Sequence, residues 1–190
     1  MADPRPNRRI LLILLLVCIA PFAASYLAYY VWKPSQAKTH GDLLQTRPLP
    51  AHVLPDVAGR PGGLAAVKGR WVLLMADGGA CARRCQDKLY MMRQLRLAQG
   101  KELDRIERVW LVADSAPASE PDMAEGVRRW RAADSALLRE LPVPAGERVE
   151  DYIYVIDPLG NQVLRYSPMH NPTQIIRELT KLLKNNEALG

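Results

Sequence analysis

Cysteine and glycine are scarce in this chain of 190 residues, which contains three cysteines and 12 glycines. Three cysteines are too few for a disulfide-dense scaffold, and 12 glycines exclude a collagen-like repeat. A hydrophobic fraction of 48% also excludes a wholly disordered chain. The length therefore predicts one modest domain with a single core.

A strongly basic domain is also lacking, although the formal net charge is +6. Residues 1–33 hold four bases and one acid (+3), and the remaining 22 bases and 19 acids add only another +3. This distribution excludes a basic nucleic-acid-binding surface, so we expect no nucleic-acid partner. The sequence contains no glycine-rich phosphate loop, no Ser–His–Asp set with supporting spacing and no paired-carboxylate motif.

One long apolar run stands near the amino terminus. Residues 10–32 carry no charge, and at roughly 1.5 Å per residue a helix of this length covers a hydrocarbon core of about 30 Å. Arg5, Arg8 and Arg9 precede the run, whereas only Lys33 follows it closely, which favours a cytoplasmic amino terminus. We predict a cytoplasmic segment over residues 1–9, a single transmembrane anchor over residues 10–32 and an exported remainder.

Bulky aromatic residues close the apolar run and fit an outer interfacial belt: Tyr26, Tyr29, Tyr30 and Trp32. A cleaved signal peptide is the alternative, with Ala-Ala-Ser at 23–25 as a weak processing site. The anchor is favoured because the run exceeds a signal core of about 7–15 residues. Cys18 lies inside the run as a small apolar residue. The chain is therefore predicted to be a single-pass protein of a bacterial inner membrane with a periplasmic domain.

Proline marks the segment after the anchor, over residues 33–62. Five prolines and few aromatic residues predict an extended periplasmic tether that lays a short strand or turn on the domain, and no helix. The domain itself is expected over residues 63–190.

The first strand of that domain leads to a pair of cysteines. Residues 70–77 form a continuous apolar run that ends at a Gly-Gly pair, a pattern typical of a strand buried on both faces. Cys81 and Cys85 follow, at the start of a segment that continues to about Ala98 and is predicted to be helical.

The remaining pattern predicts an α/β domain of the thioredoxin type, with a central mixed sheet flanked by helices. Residues 108–114 repeat the buried-strand pattern, and a helix is predicted from about Pro121 to Glu140. Residues 151–156 and 162–166 form a hairpin around a turn, and an amphipathic helix closes the chain from Thr173 to about Asn185.

The position of the cysteines favours thiol chemistry. Unbonded N–H groups at a helix amino terminus stabilise a thiolate, and Arg83 and Arg84 add positive charge. Cys85 lies on the apolar face of the helix, so Cys81 in the loop is predicted to be the attacking thiol and Cys85 the resolving thiol. The alternative is an inert disulfide, which would stabilise weakly because its intervening loop has only three residues.

The sequence resembles the Sco/SenC family of membrane-anchored, thioredoxin-fold proteins that assist copper-site assembly in cytochrome c oxidase. The resemblance covers roughly residues 65–185. It depends on the strand over residues 69–74, the CxxxC pair Cys81 and Cys85, the strand over 109–112 that ends at Asp114, and the segment over 154–160. It implies copper, as Cu(I), with Cys81 and Cys85 as ligands.

Two departures from the family pattern concern the copper site. Ala82 stands where family members have proline, and residues 147–151 contain no histidine where the family has its copper-ligating histidine. His170 is the candidate third ligand, because it follows a strand that ends at the same sheet edge as the cysteines. One strand lies between the two, so two strand spacings of about 4.8 Å separate His170 from the cysteines laterally. Asp77 and Asp114 end the two central strands and are candidates for tuning thiol protonation.

Three functions remain open from the sequence. The first is a thiol–disulfide factor, an enzyme of the thiol-disulfide oxidoreductase class, that assists cytochrome c oxidase maturation. Its partners would be oxidase subunits or other periplasmic thiol or copper proteins. The second is a Cu(I)-binding metallochaperone of the Sco type. The third is a non-catalytic oxidase accessory protein in which the disulfide is structural.

Overall fold

The computed structural model describes residues 8–31, 39–50 and 52–185. The chain divides into two compact units, Met1–Lys38 and Thr39–Gly190. The first unit contains helix α1 (Arg8–Val31). Trp32, which the sequence placed in the aromatic belt, and residues 33–38 of the predicted tether lie outside the described residues.

Helix α1 is apolar over nearly its whole length. Its 24 residues extend for about 36 Å at 1.5 Å per residue. The part from Arg8 to Leu27 is the one span within the described ranges that is long and apolar enough to cross a membrane. Cys18 is exposed on this helix and forms no disulfide. The helix therefore supports single-pass membrane anchoring.

The second unit is built on a mixed six-stranded sheet. The strands of this sheet are β1 (Asp42–Pro48), β4 (Trp71–Asp77), β5 (Ile106–Val112), β6 (Arg128–Arg131), β7 (Ile153–Ile156) and β8 (Asn161–Tyr166). A small separate hairpin consists of β2 (Leu54–Pro55) and β3 (Pro61–Gly62). The helices of this unit are α2 (Arg83–Leu97), α3 (Ala136–Glu140) and α4 (Pro172–Asn185).

The strand order in the large sheet is β1-β8-β7-β4-β5-β6. Strands β4, β5 and β6 are parallel, whereas β7 is antiparallel to both of its neighbours, β4 and β8. The parallel part needs helical crossovers, and α2 connects β4 to β5. The sequence-based prediction of a thioredoxin-like mixed sheet is confirmed.

The two central strands are buried on both faces, as their continuous apolar pattern predicts. Leu73 and Met75 pack into one core with α2 and α4, and Val72 and Leu74 pack into a second core on the opposite face of the sheet. Alternate side chains of a strand point to opposite faces, which is why both cores share β4. The strand that leads to the cysteines is therefore held between two cores.

The prediction of a single helix from Pro121 to Glu140 is wrong. This segment forms a short 3₁₀ turn at Asp122–Ala124, strand β6 and the five-residue helix α3. Gly126 has a φ of 67°, which interrupts a helix, and Trp130 is buried between arginines in a pattern typical of a strand. Helix α3 begins only after Ser135, whose hydroxyl accepts the Leu138 N–H.

The proline-rich segment contributes to the second unit. Strand β1 pairs antiparallel with β8 at one edge of the sheet, and β2 and β3 form the separate hairpin. Leu44, Leu49 and Leu54 are buried and belong to the second core. Apolar side chains thus attach this segment to the domain, although proline prevents it from becoming a helix.

The carboxy-terminal hairpin and helix agree with the sequence-based prediction. Strands β7 and β8 pair antiparallel, and α4 follows. Ile175, Leu179 and Leu183 are buried on one face of α4. Each such burial contributes roughly 1.5–3 kcal/mol, so this face attaches α4 to the sheet.

Candidate thiol–disulfide site

The cysteines lie where the central strand β4 ends and helix α2 begins. Asp77 is the last residue of β4, a Gly-Gly pair follows, and Cys81 precedes the helix. Gly79 must lack a side chain, because a Cβ there would lie 2.7 Å from the carbonyl oxygen of Ala116. The turn is thus packed closely against the segment that follows β5.

Cys81 and Cys85 form a disulfide, with their Cα atoms 5.0 Å apart. Cys81 lies in the loop as the sequence predicted, but its side chain is only 2% exposed, and that of Cys85 is 0% exposed. The sequence placed Cys85 on the apolar helix face and Cys81 in the loop, and in the disulfide form both residues are buried. Cys81 is bonded to the buried Cys85, and its N–H donates to the Gly78 carbonyl at 3.1 Å.

The backbone of Cys81 is also unusual. Its φ of 44° lies in the left-handed region, which only glycine adopts without cost. The Gln86 side chain donates to the Cys81 carbonyl at 3.1 Å and helps to hold this conformation. The cysteine loop is therefore a locally strained segment on a rigid strand–helix frame.

Positive charge surrounds the start of α2. Ala82 occupies the N-cap position and provides no side-chain acceptor, so the first N–H groups of the helix have no side-chain cap. Arg83 is 87% exposed and pairs with Asp87, whereas Arg84 pairs with Asp151. Free helical N–H groups and two arginines stabilise an anion here, which favours a thiolate when the disulfide is reduced.

A cleft of about 220 Å³ opens beside the disulfide. It is lined by Asp77, Ala82, Arg83, Arg84, Cys85, Arg148 and Glu150. The cleft thus brings a carboxylate from the central strand, Asp77, to the same space as the buried cysteine, Cys85. The sequence-based suggestion that Asp77 tunes thiol protonation is compatible with this placement.

Asp77 is paired with a buried lysine that the sequence analysis missed. The Lys88 Nζ atom lies 2.8 Å from Asp77 Oδ2 and donates to the carbonyl oxygens of Ala76 at 2.8 Å and Glu150 at 2.6 Å. These three acceptors match the three N–H donors of an ammonium group. Burial lowers the pKa of Lys88, and the hydrogen bond and charge of Asp77 oppose that effect.

The sequence did contain a signal for this pair. Lys88 lies between Cys85 and Leu89 on the apolar face of α2, where an unpaired lysine is disfavoured. An acidic partner was therefore required, and Asp77 is the acidic residue at the end of the strand that packs against this face.

Asp114 has a different role from Asp77. Its Oδ1 atom accepts the N–H of Gly79 at 2.9 Å and that of Ala116 at 3.1 Å. It does not line the cleft beside Cys85. Asp114 is thus a turn carboxylate that holds the Gly-Gly loop in position.

The segment over residues 147–151, where the resemblance led us to look for a histidine, does reach this cleft. Residues 149–151 form a short 3₁₀ turn, and Glu150 lines the cleft, with its carboxylate 3.2 Å from the Arg148 guanidinium. Burial alone would raise the pKa of Glu150, but the hydrogen bond from Arg148 and the charges of Arg148 and Lys88 outweigh it, so the pKa is lowered. This segment thus brings an ion pair, Arg148 with Glu150, to the cleft.

His170 is not brought to the cysteines. Its Nδ1 atom lies 2.9 Å from the Ser167 backbone nitrogen, and its ring packs edge-on against Tyr166. Strand β8 runs parallel to β4 with β7 between them, so the sequence-based topology of this region is confirmed. Throughout the residues that the structure describes, no three His, Cys, Asp or Glu side chains form a group able to hold a metal ion.

The cysteine site therefore does not fit copper in this form. Cys81 and Cys85 are bonded to each other, and no third ligand joins them from the described part of the chain. Copper favours soft thiolate ligands together with imidazole, and neither a free thiolate nor an imidazole is provided here.

A thioredoxin-type sheet with a cysteine pair at the start of its first crossover helix defines a thioredoxin-fold protein. A family model described as "Transmembrane-like, thioredoxin-like, C-terminal domain" matches residues 71–186, and the chain belongs to that family. A search of curated proteins found no match.

Solved structures of similar fold include several Sco proteins. Copper-bound ScoI of Bradyrhizobium japonicum is 18% identical, with a TM-score of 0.53 over 71% of this chain and 99% of that one. Copper-bound yeast Sco1 is 10% identical, with a TM-score of 0.60 over 74% and 95% of the two chains.

A putative protein disulfide isomerase from Bacteroides thetaiotaomicron is also similar. It is 12% identical, with a TM-score of 0.55 over 78% of this chain and 96% of that one. These similarities confirm a Sco/SenC-like thioredoxin fold.

Proposed function

We propose that the chain is a membrane-anchored thiol–disulfide exchange factor that assists the assembly of the copper site of cytochrome c oxidase. One observation carries the thiol chemistry: the Cys81–Cys85 pair lies at an uncapped, arginine-flanked helix start, and Cys85 shares a cleft with Asp77. The similarity in fold to Sco proteins and to a putative disulfide isomerase supports this class of function.

The proposed reaction moves two electrons from the reduced cysteine pair to a partner disulfide. The Cys81 thiolate attacks one partner sulfur, a mixed disulfide forms, and the other partner sulfur leaves as a thiolate. Cys85 then loses its proton to the Asp77 carboxylate and attacks Cys81 Sγ. This step forms the Cys81–Cys85 disulfide and releases the partner as a dithiol, and a second dithiol donor reduces the pair again.

Access to the sulfurs requires movement of the cysteine loop. Both cysteines are buried in the disulfide form, whereas the flanking Arg83 and Arg84 are largely exposed. The strained backbone of Cys81 favours its displacement once the disulfide no longer holds it. We propose that reduction releases Cys81 toward solvent, where it meets the partner.

The trapping experiment uses Cys85→Ser, because this variant forms the mixed disulfide but cannot resolve it. The full chain should accumulate a disulfide-linked adduct with an oxidase subunit or a copper protein, detected on a non-reducing gel and identified by mass spectrometry. The matched control is Cys81→Ser, which retains Cys85 but removes the attacking thiol and should give no adduct. Equal adduct yields from the two variants would contradict the assigned roles.

Two further measurements distinguish the other two functions from thiol–disulfide exchange. Tight one-to-one Cu(I) binding that is lost in Cys81→Ser would favour copper delivery over thiol–disulfide exchange as the function. Normal oxidase activity in cells that carry Cys81→Ser/Cys85→Ser would leave only a structural disulfide.

We also propose that α1 anchors the chain in a bacterial inner membrane with the domain in the periplasm. The three arginines before the apolar run support this orientation. Protease added outside spheroplasts should degrade the domain, and protease added to inverted membrane vesicles should leave it intact. The opposite pattern would contradict the orientation.

A further inference from the structure

A second cleft lies near the opposite end of α2 from the cysteines. Its volume is about 260 Å³, and it is lined by Arg93, Arg96, Leu97, Arg108, Glu125 and Gly126. Two of its arginines belong to the last turns of α2 and the third belongs to β5. None of these residues takes part in the proposed cysteine chemistry.

Arg108 is the unusual residue of this cleft. Its side chain points from β5 into the protein, and the residue is only 6% exposed. Its Nη2 atom donates to the Glu125 carbonyl at 2.5 Å, but its Nε and Nη1 atoms are buried and have no hydrogen-bond partner among the described residues. A buried cation with unpaired donors is costly, so the arrangement lacks an acceptor.

The neighbouring charges increase the need of Arg108 for an anionic acceptor. Burial lowers the pKa of Arg108, and the charges of Arg96 and Arg93 lower it further, against the opposing charges of Glu125 and Glu107. Glu107 is already paired with Arg70 and Arg128 on the opposite face of the sheet from Arg108.

The other two arginines leave donors available. Arg96 donates to the Ile106 carbonyl at 2.9 Å, and its Nη2 pairs at 3.2 Å with Asp104, which is well exposed. Arg93 is partly exposed and forms no hydrogen bond or ion pair within the part of the chain that the structure describes. Its guanidinium donors are therefore available to a ligand in the cleft that Arg93 shares with Arg108.

We propose that this cleft binds a phosphate-class oxyanion through Arg93, Arg96 and Arg108. Guanidinium groups present planar pairs of donors that match the oxygens of phosphate, and the hydrogen bonds are strengthened by the opposite charges. The bound anion provides the acceptor that Arg108 lacks and offsets the repulsion among the three cations. The phosphate group comes either from free phosphate or from the headgroup of an anionic lipid.

The test is calorimetric titration of the full chain, in an uncharged maltoside detergent, with inorganic phosphate. Saturable binding of one phosphate per chain is expected. Arg93→Gln should raise the dissociation constant about tenfold, because one charge-assisted contact is lost. Arg93 is the residue of choice because it is partly exposed and holds no other element in place.

The matched control is Arg177→Gln, which removes the same charge from an exposed arginine of α4 outside the cleft and should leave the dissociation constant unchanged. Titration with glycerophosphoglycerol, the deacylated headgroup of phosphatidylglycerol, distinguishes the two sources. Phosphate binding without diester binding identifies free phosphate, and diester binding that requires Arg93 identifies the lipid headgroup. Absence of binding by both probes, or equal binding by Arg93→Gln and the unsubstituted chain, would overturn the proposal.

Discussion

The ammonium group of Lys88 lies 2.8 Å from the carboxylate of Asp77, at the junction of the central strand and the cysteine-bearing helix. Lys88 is only 2% exposed, whereas Asp77 retains contact with the cleft beside Cys85. The pair therefore has one member that is enclosed by protein and one that lines the cleft together with Cys85. The proton exchange with Cys85 proposed above therefore falls to Asp77 and not to Lys88.

Replacement of Lys88 by methionine should destabilise the domain. Lys88→Met leaves the Asp77 carboxylate and two carbonyl oxygens without their shared donor, and removal of one partner of a buried pair costs about 3 kcal/mol. Urea unfolding of the full chain measures the loss. The control Lys101→Met removes a well-exposed lysine and should change the free energy of unfolding by less than about 0.5 kcal/mol. Asp77→Asn/Lys88→Met should recover part of the loss, and no recovery would argue against the pairing as its cause.

Asp77→Asn should slow the resolving step without preventing the first. When the reduced chain reacts with oxidised glutathione, the mixed disulfide at Cys81 should persist at least about tenfold longer, because Cys85 lacks a proton acceptor. Its resolution rate should also rise more steeply with pH than in the unsubstituted chain. Mass spectrometry of quenched samples follows the adduct.

Asp87→Asn is the electrostatic control for that experiment. It removes the same charge from an exposed residue that pairs with Arg83, outside the cleft, and screening should limit its effect on the adduct lifetime to less than about twofold. Similar lifetimes for the Asp77 and Asp87 variants would rule out a proton-accepting role for Asp77.

Alkaline pH should unfold the domain partly through Tyr166. Burial raises the pKa of this phenol, as do the charge of Glu178 and the hydrogen bond to it. The unfolded chain releases this proton near pH 10. The contribution of Tyr166 to the free energy of unfolding is therefore complete below pH 10 and is lost as pH rises above it, by about 1.4 kcal/mol per pH unit. Tyr166→Phe should reduce this slope in urea-unfolding series, whereas the exposed Tyr90→Phe should not. An unchanged slope in Tyr166→Phe would contradict the prediction.

Gly79→Ala should displace the cysteine loop. The new methyl group would lie 2.7 Å from the Ala116 carbonyl oxygen and 2.8 Å from that of Pro117, and such overpacking costs about 2 kcal/mol. We also expect faster reduction of the Cys81–Cys85 disulfide by dithiothreitol, because the displaced loop exposes it. Ala80→Ser, which adds one atom at an exposed neighbouring position, should alter neither measurement. An unchanged reduction rate in Gly79→Ala would show that the loop does not control access.

Strong local patterns allowed most of the core to be predicted from the sequence. Strands β4 and β5 carry continuous apolar runs, and α4 carries apolar residues at helical spacing, so each element has one stable place in a layered fold. The segment before α3 was mispredicted because its arginines are compatible with a helix. The pairing of Trp130 and its neighbours with β5 is a long-range effect that local propensity does not record.

The cysteine site was only partly predictable, for a similar reason. The CxxxC spacing and the end of an apolar strand placed Cys81 and Cys85 correctly at the start of a helix. The burial of Cys81 and the Lys88–Asp77 pair depend on how the loop and the 149–151 turn pack together in space. The place of Lys88 on the apolar face of α2 indicates that it needs an acidic partner, but the local sequence does not specify how the loop and the turn close over the cysteines.

The two outer strands of the sheet, β1 and β6, limit how other proteins approach it. Strand β6 carries three arginines around Trp130 and meets Asp56 through an isolated bridge, and β1 has an irregular register and ends in Pro48. Charge, proline and irregular pairing all disfavour the addition of a further strand. We therefore expect the proposed partner to be recognised through side chains around the cysteine cleft. Its selectivity should then change by surface substitution there while the hydrogen-bonded framework of the sheet stays intact.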